Sequence, residues 1–281
     1  MAIRNGEINS TGLARDIRLL ELLASDRAAR TNGLGVTELA NLTGRSKAVV
    51  SRALATLAEA GLVSRDHATL RYSVGPRVLA LAARSGSSGL VRLARPLLRS
   101  LVQATQETAH LSVLSDNSVL TLASEVSPHQ VRSAAWEGVR TAAWRTPSGR
   151  VLISEWSGEE LEEWFRVHWS DDIVLDAVVF PREDNPFRLL QTPSKGVDPD
   201  NRLDALHAEL ATIRRQGFAL MDEDFEEGVI GVSAPVRDST GAIVAALNVS
   251  GPKMRLSSRL HEVSRQTRFA AQALTDLMAA G

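Results

Sequence analysis

The chain has 281 residues, 44% of them hydrophobic, and a formal net charge of −1. That length accommodates two domains with cores of their own, and the absence of cysteine excludes disulfide frameworks and thiolate metal sites. No apolar run approaches the roughly 18 residues of a membrane span, and the N-terminus lacks an apolar signal core, so a cytoplasmic protein without membrane association is expected.

The small net charge conceals an asymmetry. Residues 1–95 carry 14 Lys and Arg against 7 Asp and Glu, whereas residues 96–281 carry 18 against 26. A basic module joined to an acidic one fits nucleic-acid contact at one end only.

Residues 1–10 read as a polar arm. Leu13, Ile17, Leu20 and Leu23 recur at helical spacing and predict a helix over 13–25. Asp26 to Gly35 reads as a polar loop. Thr37 to Thr43 is a short amphipathic helix with Leu39 and Leu42 on one face, and Gly44-Arg45 breaks it. Ser46 is placed to cap the next helix through its hydroxyl. That helix carries Val49, Val50, Ala53, Leu54 and Leu57 as one apolar stripe. Its opposite face presents Ala48, Ser51, Arg52 and Ala55, with Lys47 at the rim. Small side chains allow close approach to a major groove, Ser51 and Arg52 reach base edges, and Lys47 holds phosphate. Leu62–Arg65 and Leu70–Val74 read as a β-hairpin wing with phosphate contacts at Arg65 and Arg71, and Arg45 belongs to the same basic surface.

Pro76 to Arg84 predicts a short helix, Ser85 to Gly89 a linker, and Leu90 to Ala94 a resumed helix. Pro96 suits the first turn of the helix after that. The apolar helix around Leu90–Ala94 and the N-terminal helix are the expected dimer surfaces. Strands are predicted at 110–114 and 118–124, with a further one at 131–136. Helices follow at 149–155 and 159–167. Ser170 to Asp200 carries no clear pattern. A helix at 203–216, strands at 229–236 and 243–250, and a last helix at 258–278 complete the chain. The whole predicts an α+β protein with a separate winged helix-turn-helix.

Enzyme chemistry is not expected. The six histidines are scattered, with no HExxH and no GxSxG elbow, and Ser148 has no evident base. The acidic run Asp222, Glu223, Asp224, Glu226, Glu227 lacks the spacing of an EF-hand loop and reads as a solvated loop. No metal or cofactor is implied.

Leu39-Ala40, Lys47, Arg52–Leu57, Gly61-Leu62-Val63 and Arg71–Arg77, followed downstream by Gly217-Phe218-Ala219, Asp222–Gly228, Ala234–Asp238 and Asn248–Pro252, resemble IclR-type transcriptional regulators over nearly the whole chain beyond residue 10. The resemblance implies a winged helix-turn-helix DNA-binding domain at 11–75, a connecting helix at 76–95 and a GAF-like effector-binding and oligomerisation domain at 96–281. A glycine-rich break at 86–89 would be a hinge in that connecting helix. It also implies a small, often acidic or aromatic effector held against the sheet. Matched motif by motif, its contacts fall on Gln130, Ser133, Ser148, Gly149, Met221, Asp222, Gly231, Asn248 and Ser250, and a glycine amide would help orient a carboxylate. Trp136 and Trp144 flank the segment and either pack a core or line the ligand site. The sequence departs from the commoner family pattern at Trp144-Arg145, at Pro147, which has no N–H to donate, at Met221 in place of an acidic residue and at Gly231 in place of a frequent cysteine.

The expected partners are a double-stranded, pseudo-palindromic operator, an organic-acid effector, and further copies of the chain in a homodimer or homotetramer. The alternative is a small-molecule sensor or enzyme-like module whose helix-turn-helix serves protein interaction.

Overall fold

A computed structural model describes residues 12–84, 86–176 and 199–280. The chain forms two compact units that divide between Ser88 and Gly89, in the first turn of a helix that belongs mostly to the second. The predicted N-terminal arm lies outside the described residues.

The first unit contains α1 (Gly12–Leu23), α2 (Asp26–Arg30), α3 (Val36–Thr43), α4 (Lys47–Glu59), β1 (Val63–Arg65), β2 (Tyr72–Val74) and α5 (Pro76–Ala82). Leu19 and Leu22 of α1, Leu34, Leu39 of α3, and Val50 and Leu54 of α4 share one core. Each is at most 1% exposed, and burying a leucine or valine of this kind contributes about 1.5–3 kcal/mol. Helix α2 replaces part of the expected polar loop, because Ser25 Oγ accepts the Ala28 amide at 3.4 Å and Ala28 joins the core. Gly44 has φ 65 and closes α3 in a left-handed turn, which fixes the break between the two helices. Strands β1 and β2 pair antiparallel, with Arg65 opposite Tyr72. The turn between them is held by Asp66 Oδ1, which accepts the Ala68 and Thr69 amides at 2.8 and 2.9 Å. Those bonds hold the Asp66 carboxyl below its ordinary pKa.

The second unit contains α6 (Gly86–Thr105), β3 (Thr108–Ser115), β4 (Ser118–Glu125), β5 (Arg140–Ala142), α7 (Pro147–Leu152), α8 (Gly158–His168), β6 (Val174–Asp176), α9 (Pro199–Gln216), β7 (Ala219–Asp222), β8 (Val229–Arg237), β9 (Ile243–Pro252), α10 (Lys253–Leu256) and α11 (Leu260–Ala279). Among the described residues, a seven-stranded antiparallel sheet has the order β6-β5-β4-β3-β9-β8-β7. Leu98 and Leu101 of α6 and Val263, Ala271 and Leu274 of α11 cover one face through Leu111, Val232, Leu247 and Val249. On the other face, α7, α8 and α9 bring Val151, Leu161, Phe165, Leu206 and Leu210 against Val119, Ala219 and Ala246.

Several expectations change here. The Ser85–Gly89 linker is helical from Gly86, and Pro96 lies inside α6 rather than at a first turn. Leu90 is 8% exposed and Ala94 fully buried in the unit's own core, while Val91 and Leu93 between them are half-buried. The predicted strand at 131–136 is an irregular segment, and β5 forms at Arg140–Ala142 instead. Its bonds go elsewhere: the Trp136 amide donates to Ser124 Oγ at 3.1 Å, and the Ser133 carbonyl accepts from Thr108 Oγ1 at 3.0 Å. Of the unpatterned 170–200 stretch, Val174–Asp176 is strand β6 and residues 177–198 lie outside the described residues.

Candidate functional site

Two surfaces carry the sequence-predicted residues. On the first unit, burying Val50, Ala53 and Leu54 turns Lys47, Ala48, Ser51, Arg52 and Ala55 of α4 to solvent. Lys47 and Arg52 form no ion pair with any described residue, which leaves both cations available to a polyanion. Arg65 on the wing is exposed, its guanidinium 5.6 Å from the Tyr72 ring centroid.

Three residues of that group are placed differently from the expectation. Ser46 occupies the N-cap position of α4, but its hydroxyl makes no capping bond. Arg45 donates to Asp16 Oδ1 at 2.9 Å and to the Arg15 carbonyl at 3.1 Å, fastening the inter-helix turn to α1. Arg71 donates to Glu38 Oε2 at 2.9 Å and to the Gly33 carbonyl at 2.8 Å, fastening the wing to α3. Both arginines therefore make internal contacts that the basic-surface expectation did not include.

On the second unit, strand register gathers the effector candidates. Residues directly opposite in an antiparallel ladder share a face. His110 of β3 lies opposite Ser124 of β4 and Asn248 of β9, and Asn248 opposite Ser233 of β8. One row on, Thr108 lies opposite Ser250, Ser250 opposite Gly231, and Gly231 opposite Met221 of β7. All are buried except the half-buried Ser250. These two rows hold hydroxyls, one amide and one imidazole, and no charged side chain. Burying such groups carries a cost unless each is hydrogen-bonded. Asn248 Nδ2 donates to the Val232 carbonyl at 3.1 Å, Ser233 Oγ to the Leu247 carbonyl at 3.1 Å, and Ser148 Oγ of α7 lies 3.3 Å from Ser233 Oγ. Burial pushes the His110 imidazole down from 6.5 to about 4, so it is neutral at physiological pH.

Two loops meet beside this face. The Trp136 ring lies 5.3 Å from Phe225, which sits in the acidic loop after β7. That loop is anchored by Lys253, which pairs with Asp222 at 2.9 Å and also with Glu223, and by Arg150, which reaches Asp224 at 3.5 Å and Glu209 of α9 at 2.8 Å. Arg150 is 3% exposed. Burial lowers its pKa, while Glu209 acts in the opposite direction.

Other expected contacts resolve differently. The Gly149 amide donates to Thr146 Oγ1 at 3.1 Å and is unavailable to orient a carboxylate. A Cβ on Gly149 would stand 2.0 Å from the Ala143 carbonyl oxygen, and one on Gly231 would stand 2.8 Å from Pro147 Cγ, so both glycines let α7 pack closely. Asp222 and Gln130 are exposed. Trp144 is a core residue, 4% exposed, donating to the His168 carbonyl at 3.0 Å and standing edge-on to Phe165. Missed from sequence were His110, Ser124, Ser233, Arg150 and Phe225. Polar residues alternating with Ala109 and Leu111, and with Val232 and Ala234, were the available signal for the first and third.

A winged helix-turn-helix on one unit and a buried polar sheet face on the other define a ligand-responsive DNA-binding regulator. Residues 12–67 match the IclR helix-turn-helix domain, and residues 83–173 and 200–276 match the family described as bacterial transcriptional regulator IclR C-terminal. The chain is 32% identical over 280 residues to the HTH-type transcriptional regulator BhcR of Paracoccus denitrificans, covering 98% of this chain and 90% of the relative. An IclR homolog from Microbacterium hydrocarbonoxydans complexed with 4-hydroxybenzoate shares the fold at a TM-score of 0.69 and 22% identity, over 96% of this chain and 100% of that one. The Thermotoga maritima IclR does so at 0.67 and 19%, over 95% and 98%. The chain belongs to the IclR family of bacterial transcriptional regulators, and its function is control of transcription through DNA binding rather than catalysis.

Proposed function

We propose that the effector is a small organic acid docked on the polar sheet face, and that it alters the grip of two or more α4 helices on a pseudo-palindromic operator in the cytoplasm. The observation that carries the ligand class is the pair of cross-strand rows centred on His110, Asn248 and Ser250. Neutral hydroxyl and amide groups orient a carboxylate or carbonyl, whereas no carboxylate stands in the rows to hold a cation. Met221 and the Trp136–Phe225 pair add apolar surface, which favours an aromatic or other apolar body. The similar Microbacterium structure, complexed with 4-hydroxybenzoate, supports the same class. A groove of about 460 Å³ beside Gly217, Arg268 and Phe269 is open to solvent and lacks such buried donors, so it is the weaker candidate.

On the DNA side, Lys47, Ser51, Arg52 and Arg65 make the groove and phosphate contacts, with Arg45 and Arg71 supporting them. One winged helix reads only a few base pairs, so useful specificity needs paired heads spaced by about one helical turn, 34–36 Å, or a multiple of it. The exposed Leu13 and Ile17 of α1 make that helix the candidate surface for a homodimer, or for the dimers of a tetramer. Calorimetric titration of 4-hydroxybenzoate, its uncharged amide and the corresponding benzylamine tests the ligand class. The acid should bind best, and Asn248→Leu should weaken it by about tenfold. Binding of the amine alone would contradict the assignment.

A further inference from the structure

A run of hydrogen bonds crosses the polar face with a fixed direction. The Trp136 amide donates to Ser124 Oγ at 3.1 Å. Ser124 Oγ stands 3.0 Å from His110 Nδ1, and His110 Nε2 stands 3.3 Å from Ser250 Oγ. A serine hydroxyl has one proton and two lone pairs. One lone pair of Ser124 is taken by the Trp136 amide. Among the described residues, no acceptor other than His110 Nδ1 stands within hydrogen-bonding distance of its proton. Were Nδ1 protonated, the buried Ser124 hydroxyl would have nowhere to donate, at a cost of about 1–3 kcal/mol. Nδ1 therefore accepts. A neutral imidazole with an accepting Nδ1 carries its proton on Nε2, and that N–H donates to Ser250 Oγ. The Ser250 proton is left as the open end of the run, on the one half-buried residue of its row, which also holds Gly231 and Met221.

We infer that His110 is a positioning residue that fixes Ser250 as a hydrogen-bond donor, so that the site selects a ligand presenting an acceptor oxygen, such as a carboxylate or carbonyl, over an ammonium group. This rests on the effector docking at the polar sheet face. The chain begins at Trp136, in the segment that meets Phe225, so the tautomer of one imidazole ties the ligand-facing hydroxyl to the loop that flanks it. No charged group takes part. The Glu137 carboxylate nearby is committed to the Ser124 amide at 2.8 Å.

Two measurements on the full chain test this. In ligand-free protein labelled with 15N-histidine, long-range 1H–15N spectra at neutral pH should show one histidine, missing from His110→Gln, with Nδ1 bare and Nε2 protonated. The opposite tautomer, or a doubly protonated ring, overturns the inference whatever the ligand is. In titrations with 4-hydroxybenzoate, His110→Leu should bind about tenfold more weakly than wild type. His110→Gln, whose amide supplies a donor in place of Nε2–H, should recover most of that loss, and thermal unfolding verifies that both variants are folded. Equal binding by the leucine variant, or no recovery by the glutamine variant, overturns the positioning role. If wild-type protein binds neither 4-hydroxybenzoate nor its amide at millimolar concentration, the ligand-class reading fails. The tautomer measurement then decides alone whether Ser250 is a donor.

Discussion

Arg71 of the wing and Glu38 of α3 share one oxygen with the backbone: Glu38 Oε2 takes the Arg71 guanidinium at 2.9 Å and the Gly35 amide at 3.0 Å. One carboxylate thus caps the first helix of the helix-turn-helix and clamps the wing to it. The side chains are 28% and 33% exposed, so solvent screening limits the pair to about 1 kcal/mol or less. In a double-mutant cycle of Arg71→Ala and Glu38→Ala, the two losses of stability should be less than additive. DNA affinity should fall by a similar factor for either single variant, because both free the wing. Normal binding by Glu38→Ala with a large loss in Arg71→Ala would instead make Arg71 a direct phosphate contact.

Arg52 should behave in the opposite way. It is exposed on α4 and forms no ion pair with a described residue, so Arg52→Ala should leave unfolding unchanged within about 0.5 kcal/mol. Specific DNA affinity should fall by about 1–3 kcal/mol if the guanidinium reads a base, with a smaller loss on random duplex at the same salt. Equal losses on both duplexes would make it a phosphate contact, and no loss on either would remove α4 from the recognition role.

The first unit was largely legible because its signals are local. A glycine at positive φ, a stripe at spacings of three and four, and a short turn are written in neighbouring residues. The second unit was legible in its long strands and its last helices but not at its site. Asn248 and Ser250 alternate with Leu247 and Val249, a pattern that ordinarily marks a solvated strand face. Only the packing of α7 over β8 and β9 reveals that this face is buried. The role of Gly231 was invisible for the same reason, since it depends on Pro147, which is remote in sequence. The segment at 131–136 is no strand, and side-chain hydroxyls of Thr108 and Ser124, remote in sequence, bond its Ser133 carbonyl and Trp136 amide.

Stability should depend on pH through His110. The folded protein holds this ring neutral down to about pH 4, whereas the unfolded chain protonates near 6.5. The unfolded state therefore binds more protons between those values. The contribution is complete above 6.5 and is lost as pH falls towards 4. At about 1.4 kcal/mol per unit, the loss across the window is about 3–4 kcal/mol. The ring is surrounded by the neutral Ser124, Ser250 and Asn248 side chains, with Glu137 held on the Ser124 amide. Urea midpoints measured between pH 7 and 4.5 should decline, and His110→Gln should flatten the decline relative to wild type. Parallel slopes in the two proteins would mean that His110 titrates normally.

Leu13 and Ile17 of α1 are 71% and 45% exposed. If α1 carries the dimer, Leu13→Asp combined with Ile17→Asp should shift sedimentation at micromolar concentration towards monomer. Operator affinity should fall while half-site binding stays weak in both proteins. An unchanged oligomer would place the interface elsewhere.

An effector on the polar sheet face regulates transcription only if it changes the grip of α4 on DNA. The direct measurement is operator affinity at fixed salt, with and without saturating 4-hydroxybenzoate, for wild type and for Asn248→Leu. The prediction is a change of at least about fivefold in wild type, in either direction, and no change in an Asn248→Leu protein that still binds the operator. Calorimetrically verified binding of the acid with no change in operator affinity, or an equal response from the variant, would contradict it.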